Sequence, residues 1–429
     1  MFAERRKKFL ESIGPDAAAI VIGHDAVPRS NDTEYPFRQN SDFHYLTGFD
    51  HPSAVALFRT DDGPPYTLFV QAKDKSAETW HGYRPGTSGA KDDFGADEAF
   101  AIDALLEEIP KQIERIGSLY HTLGRNPDLD RTIVATLDSL RQRSKLGFEP
   151  ASQIRDPRDV LHAMRLFKEP GEIEIMRRAA AITCTAHQEA ARLCRDGNFE
   201  YQLEAALGHA FRRLGGSGPA YGTIVGGGKN ATILHYIVNN QKLRGGELCL
   251  VDAGVELEGY ASDVTRTYPV GGRFRGPSRA VYEVVLAAQK AALAVCRPGT
   301  TLPKIHETAL RSLVEGMVSL GLLAGTVDDL IKSEKYREYY MHGTSHWLGL
   351  DVHDVGVYTK KGKALTLDPG MVFTVEPGIY IPVDDTSAPE HLRGIGVRIE
   401  DDVLVTEDGI ENFNHAIPKQ PDEIEAWMS

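Results

Sequence analysis

Five side chains in the second half of the chain have the types and spacing to hold cations together: Asp252, Asp263, His346, Glu376 and Glu400. Asp252 and Asp263 lie in ELCLVDAGVELEGYASDVTRTYPV, where two β-prone runs flank Glu256-Leu257-Glu258-Gly259, a hairpin signal. Asp252 follows Leu248 and Leu250 at period two, so it shares their sheet face. A turn centred on Leu257/Glu258 sets Asp252 opposite Asp263. Like charges directly opposed in a sheet repel, and a buried carboxylate without a partner is costly or takes up a proton. A cation between the two removes both penalties; the plainer alternative is that one Asp is an edge charge or turn cap. Glu376 repeats the pattern with Val372 and Thr374, and Glu400 does so with Gly396 and Arg398. Between them runs MHGTSHWLGLDVHD, which interleaves His342, His346 and His353 with glycine. Four carboxylates and an imidazole suit two divalent ions of hard or borderline character, such as manganese, cobalt or zinc. Two such ions, roughly 3.5–4 Å apart, can hold a bridging hydroxide and stabilise both attacking and leaving groups. Taken singly, each residue is better read as a satisfied core histidine or an edge-strand acid; the set is harder to read that way.

The elements that must position these groups come in two similar halves. A helix opened by Pro170 runs to about Leu193, meets Cys194-Arg195-Asp196-Gly197, and is followed by a second helix over about 199–214. The same order recurs as a helix from Ala280 to Val295, the turn Cys296-Arg297-Pro298-Gly299, and a helix from Pro303 to Leu320. Gly197/Gly299 and Leu203/Ile305 keep one offset, so each half is expected to deliver an acid-bearing β-ribbon.

The first 150 residues read as an α/β layer. A helix is expected over Ala3–Ser12, strands over Ala17–Ile22, Ala54–Arg59 and Tyr66–Val70, and helices over Phe100–Ile116 and Leu129–Leu140. No metal-ligand spacing occurs there. Turns at Glu149-Pro150 and Asp156-Pro157 mark a boundary, giving an N-terminal α/β domain over 1–165 and a second domain over 166–429. A chain of 429 residues exceeds one typical core. Its 48 basic and 61 acidic residues give −13, which argues against nucleic acid or an anionic membrane as partner. Four scattered cysteines without paired spacing, no signal-like N-terminus and no long apolar run point to the cytoplasm.

The segments LHY (234–236), VDAG (251–254), SDVTRT (262–267), HGTSHWLGLDVHDVG (342–356), TVEPGIY (374–380) and GVRIEDD (396–402) resemble those of the Xaa-Pro aminopeptidase, or aminopeptidase P, family. EYPFRQNSDFHYLTGF (34–49) and AETWHGYRPG (77–86) extend the resemblance over nearly the whole chain. It implies a pita-bread α+β catalytic domain, shared with prolidase, methionine aminopeptidase and creatinase. It also implies roles: Asp252 as a terminal ligand of one metal, Asp263 and Glu400 as bridges, and His346 and Glu376 completing the second ion. His235, His342 and His353 would orient substrate and shuttle protons, while Arg398 would neutralise and orient the carboxylates. Tyr380 and Tyr221 would stand at the pocket wall. Asp32 and Trp80 would be N-domain residues near the site, Trp80 reaching in from a neighbouring subunit of a homodimer or homotetramer. The sequence departs from the family pattern at Ala220–Thr223 and Gly226–Gly228.

The implied activity is removal of the N-terminal residue from peptides with proline second. The α-amine would sit beside Asp252, His353 would help polarise the scissile carbonyl, and a metal-bridging hydroxide would attack it. Glu376 would pass the proton to the proline nitrogen, with help from His342. Prolidase, which cuts Xaa-Pro dipeptides, is the near alternative. A non-catalytic peptide-binding module of the same fold is the remote one, and the full set of five ligands weighs against it.

Overall fold

A computed structural model describes all residues except 144, 146 and 149, and divides the chain into two units, Met1–Met164 and Arg165–Ser429. The turn expected at Glu149-Pro150 includes a residue outside the described set.

In the first unit, alternating apolar runs build a six-stranded mixed sheet in the order Glu98–Ala101, Tyr66–Val70, Val55–Arg59, Ala17–Ile22, Ser118–His121, Gln153–Arg155. The helix Pro127–Gln142, capped by Asn126 with proline in its first turn, packs Leu129, Ile133 and Leu137 against Ile20, Leu57 and Leu119. The expected helix over Phe100–Ile116 is only half right. Glu98–Ala101 forms an edge strand parallel to Tyr66–Val70, with Phe100 stacked on Phe69, and a helix follows only at Leu105–Gln112. The pairing of those rings on one sheet face overrides the helical spacing.

The second unit is built from two helix pairs, each followed by strands. Pro170–Leu193 packs on Glu200–Arg213, and Gly276–Val295 packs on Leu302–Ser319. The turn after the first helix of each pair carries a left-handed glycine, Gly197 and Gly299. The first pair precedes the three-stranded sheet Ile224–Gly227, Leu248–Asp252, Thr265–Pro269. The second precedes Val372–Val375, Asp401–Val405, Ile410–Asn412 and a ribbon of Gly378–Tyr380 with Gly396–Arg398. The apolar faces of the second pair and its strands join in a core of Trp347, Phe373, Val375, Val403 and Ile305.

The register of the first ribbon differs from the expectation. Asp252 pairs with Thr265, and Leu257 pairs with Tyr260, so the turn residues are Glu258 and Gly259. Both have positive φ, 51° and 84°, as a two-residue hairpin turn matched to strand twist requires. Asp263 therefore sits two residues before the strand Thr265–Pro269, diagonal to Asp252 rather than opposite it. Gly254 allows this fold-over, because a Cβ there would lie 1.6 Å from the Ser262 carbonyl oxygen.

Candidate metal centre

Each acid of the expected set stands at or just past a strand end, where the backbone leaves its ladder and the side chain can turn inward. Asp252 ends Leu248–Asp252, Glu376 follows Val372–Val375, and Glu400 falls between Gly396–Arg398 and Asp401–Val405. The two halves are stitched together here. Glu400 N–H donates to Thr265 O at 3.1 Å, and Thr267 Oγ1 donates to Arg398 O at 3.0 Å.

The acids converge on one cavity of about 620 Å³, lined by Asp252, Asp263, Glu376, Glu400, Arg398 and the histidines 235, 342, 346 and 353. Ile224, Leu234, Ile237, Val352 and Tyr358 give it an apolar side. His346 Nε2 lies 3.3 Å from Asp263, 3.6 Å from Glu376 and 4.0 Å from Glu400. One donor atom each of Asp263, His346 and Glu400 falls within 4.8 Å of the others. The His346 Nδ1 bonds the Trp347 carbonyl at 3.0 Å, which leaves Nε2 turned toward the acids, the orientation a metal-ligating imidazole needs. Tyr221 donates its hydroxyl to Asp252 at 2.7 Å and Asp263 at 2.6 Å. Arg398 donates to Asp252 at 2.6 Å and to Tyr380 and Thr265 at 3.0 Å. Thr265 in turn donates to Glu400 at 2.7 Å.

Among the described lining residues, four carboxylates face one guanidinium. That imbalance shows in their acidities. Burial, together with the neighbouring acids and against the pull of His346 and Arg398, raises Glu376 to about 7. Burial also raises Asp252 and, far more, Glu400. Burial opposes charge on His346, yet Asp263 and Glu376 outweigh it and raise the ring to about 9. A divalent cation would relieve the repulsion, and hard oxygen donors with one imidazole are the chemistry such ions take. The donor set fits the metal that the sequence implied.

Supports behind the cavity explain why these side chains point where they do. The Glu376 N–H donates to Thr344 O at 2.8 Å, and the Thr344 hydroxyl is held by Tyr340 and His306. The His353 loop is pinned by buried Asp354, bonded to Arg165 at 2.5 Å and Lys168 at 3.0 Å. The loop bearing His235 is organised by fully buried Glu200, which accepts from Gly227 N, Asn230, Tyr236 and Gln241 N.

Other expected residues are engaged differently, or belong to the first unit. Tyr380 is 1% exposed and lies one layer behind the wall, bonded to His342 and Arg398 rather than facing the cavity. His342 has both nitrogens engaged, by Gly343 O at 2.7 Å and the Tyr380 hydroxyl at 2.8 Å; burial and Arg398 push it down to about 3. A ring so placed donates its Nδ1–H to Gly343 O, orients its neighbours and stays uncharged at neutral pH. Asp32, in the turn between Pro28–Ser30 and Thr33–Glu34, and Trp80, on the helix Lys75–His81 and 82% exposed, both belong to the first unit. Sequence reasoning missed Thr265, although it follows Asp263 at period two. It also missed Asp402, whose carboxylate accepts from Asp263 N and Ser262 at 3.0 Å, and whose only signal was the acid run Glu400-Asp401-Asp402.

Comparison with known proteins matches residues 174–407 to the model of metallopeptidase family M24, and residues 2–120 to the aminopeptidase P N-terminal domain. The Xaa-Pro aminopeptidase of Escherichia coli K12 is 44% identical over all of this chain and 97% of its own length. Pseudomonas aeruginosa aminopeptidase PepP superposes with a TM-score of 0.96 at 44% identity, covering 100% of this chain and 97% of that one. Escherichia coli aminopeptidase P in complex with substrate does so at 0.95, with the same identity and coverage.

Proposed function

The chain belongs to metallopeptidase family M24, in its aminopeptidase P branch, and from that membership we infer a metal-dependent exopeptidase that removes the residue preceding an N-terminal-side proline. The observation that carries the reading is the cavity in which four carboxylates and His346 Nε2 face a single guanidinium. We assign Asp252, Asp263, His346, Glu376 and Glu400 as the residues that hold two divalent ions, with manganese as the native metal on the hardness of the donors. Such ions supply Lewis acidity toward the scissile carbonyl and lower the pKa of the attacking water.

The chain's own groups do the rest. The peptide's α-amine lies beside Asp252, which fixes the cut one residue from the end. His353, exposed at the cavity and free of a protein hydrogen bond among the described residues, donates to the scissile carbonyl oxygen as charge builds there. Glu376 takes the proton from the attacking water at its carboxylate and gives it to the departing proline nitrogen. His342 and Tyr380 hold Arg398, and Arg398 holds Asp252. The proline ring nitrogen of the scissile bond carries no hydrogen, so a pocket whose apolar side presents Ile224, Leu234, Ile237 and Val352 leaves no acceptor unsatisfied there.

The four cysteines are free, in keeping with a reducing, cytoplasmic setting. Trp80 and Tyr83, both strongly exposed on the first unit, favour burial in a homodimer or homotetramer. No helix among the described residues is long and apolar enough to cross a membrane. The test is hydrolysis of Xaa-Pro-Yaa against Xaa-Ala-Yaa and an Xaa-Pro dipeptide, before and after chelation and readdition of manganese. The expected result is chelator-sensitive cleavage of the proline tripeptide above both others. Preference for alanine, or cleavage of the dipeptide alone, sinks the reading.

A further inference from the structure

A second cavity of the same volume, about 620 Å³, lies in the second unit and shares no lining residue with the first. Its walls carry Lys229, Lys242, Arg244, Arg275 and Arg393 against a single lining acid, Glu247. Among the described residues none of the five forms an ion pair, and Arg393 donates only to the carbonyls of Ala388 and Thr386. Exposed arginines without an ion pair among the described residues occur elsewhere, Arg192 and Arg297 among them, but here five cations line one cavity beside one acid. Like charges gathered without counter-ions repel, at a cost that a bound anion removes. The buried acid behind this wall, Glu200, is saturated by Gly227 N, Asn230, Tyr236 and Gln241 N, so it does not compete for the cavity's cations.

We propose that this cavity is a binding site for a small anion carrying more than one negative charge, of the phosphate or pyrophosphate class. Three arginines offer planar forks suited to phosphoryl oxygens, and two lysines add point charges. The helix Gly276–Val295 begins at this wall without a side-chain cap, so its first N–H groups add donors to those charges. The size favours a small molecule. A long polyanion is disfavoured, because the chain as a whole carries −13 and repels one everywhere else. The site lies at the Gly227 end of the strand Ile224–Gly227, whose other end pairs with Asp252.

Calorimetric titration of the metal-loaded enzyme with inorganic pyrophosphate at fixed ionic strength tests this. Pyrophosphate also ligates metals, so two variants separate the sites. The Lys229→Ala/Arg244→Ala/Arg275→Ala variant should retain peptide hydrolysis and lose about tenfold or more in pyrophosphate affinity. Asp263→Asn should retain the pyrophosphate affinity. If the triple variant folds poorly, Arg275→Gln alone should weaken binding in the same direction. Unchanged affinity in the cavity variants, loss only in Asp263→Asn, or no binding at millimolar pyrophosphate would each overturn the proposal.

Discussion

Asp263 is the residue on which the centre's charges meet, since Tyr221, His346 and the Asp402-held backbone all touch it. Replacing it by Asn removes one negative charge and puts an amide against the Tyr221 hydroxyl and His346. The expected outcome for Asp263→Asn is a fall in both metal content and turnover of about a hundredfold or more, since even supporting residues cost 10–100-fold. Elemental analysis of the purified variant beside its kcat checks this, and an intact metal complement would count against the assignment. Arg398 is the counterpart cation. Arg398→Gln strips Asp252 of its cationic partner and should depress kcat by about 10²-fold, with the buried Asp252 left only the Tyr221 hydroxyl. Restoring part of the activity with Arg398→Lys would point to charge, and its failure to fork geometry.

At the scale of elements, the ribbon bearing Asp252 and Asp263 depends on a close backbone approach and on a helix behind it. Gly254→Ala would drive a Cβ into the Ser262 carbonyl, a contact with backbone that no rotamer relieves. The expected loss is about 3 kcal/mol or more, read by denaturant unfolding. The helix Pro170–Leu193 holds the same ribbon through His187, which bonds the Ala253 carbonyl at 3.0 Å and the Tyr268 hydroxyl at 3.1 Å. Burial lowers His187 from 6.5 to about 4, so the folded state keeps the ring neutral. As pH falls below 6.5 the unfolded chain takes up a proton that the folded chain refuses, and stability drops until about pH 4. The whole effect is roughly 3 kcal/mol. In His187→Gln that loss is absent, so the stability gap between wild type and variant should shrink over this pH range. A constant gap would show that His187 does not titrate as placed.

For the molecule as a whole, the acids of two strand systems form one centre, so metal removal should loosen the second unit. A ligand at a hundred times its Kd stabilises by about 2.7 kcal/mol, so chelation should lower that unit's melting midpoint by roughly 5 °C, reversed by readdition. Calorimetry with and without chelator decides it. Much of this was legible in the chain itself. Period-two spacing put Arg398 with Glu400, glycines marked the turns after the helices, and a run of short segments carried the family, because these signals are local and chemical. The ribbon's register was not legible, since two adjacent positive-φ residues at 258 and 259 moved the turn by one position. Nor were Thr265 and Asp402 as partners of the acids, or Tyr380 behind the wall rather than at it. The contacts of Thr265 and Asp402 join residues more than a hundred positions apart, and only packing the two halves together brings such groups within hydrogen-bonding reach. What the sequence by itself determined was which acids and histidines are present and near which strands they fall. Which of them meet, and at what acidity, was decided by tertiary structure, because burial and neighbouring charge exist only once the chain is folded.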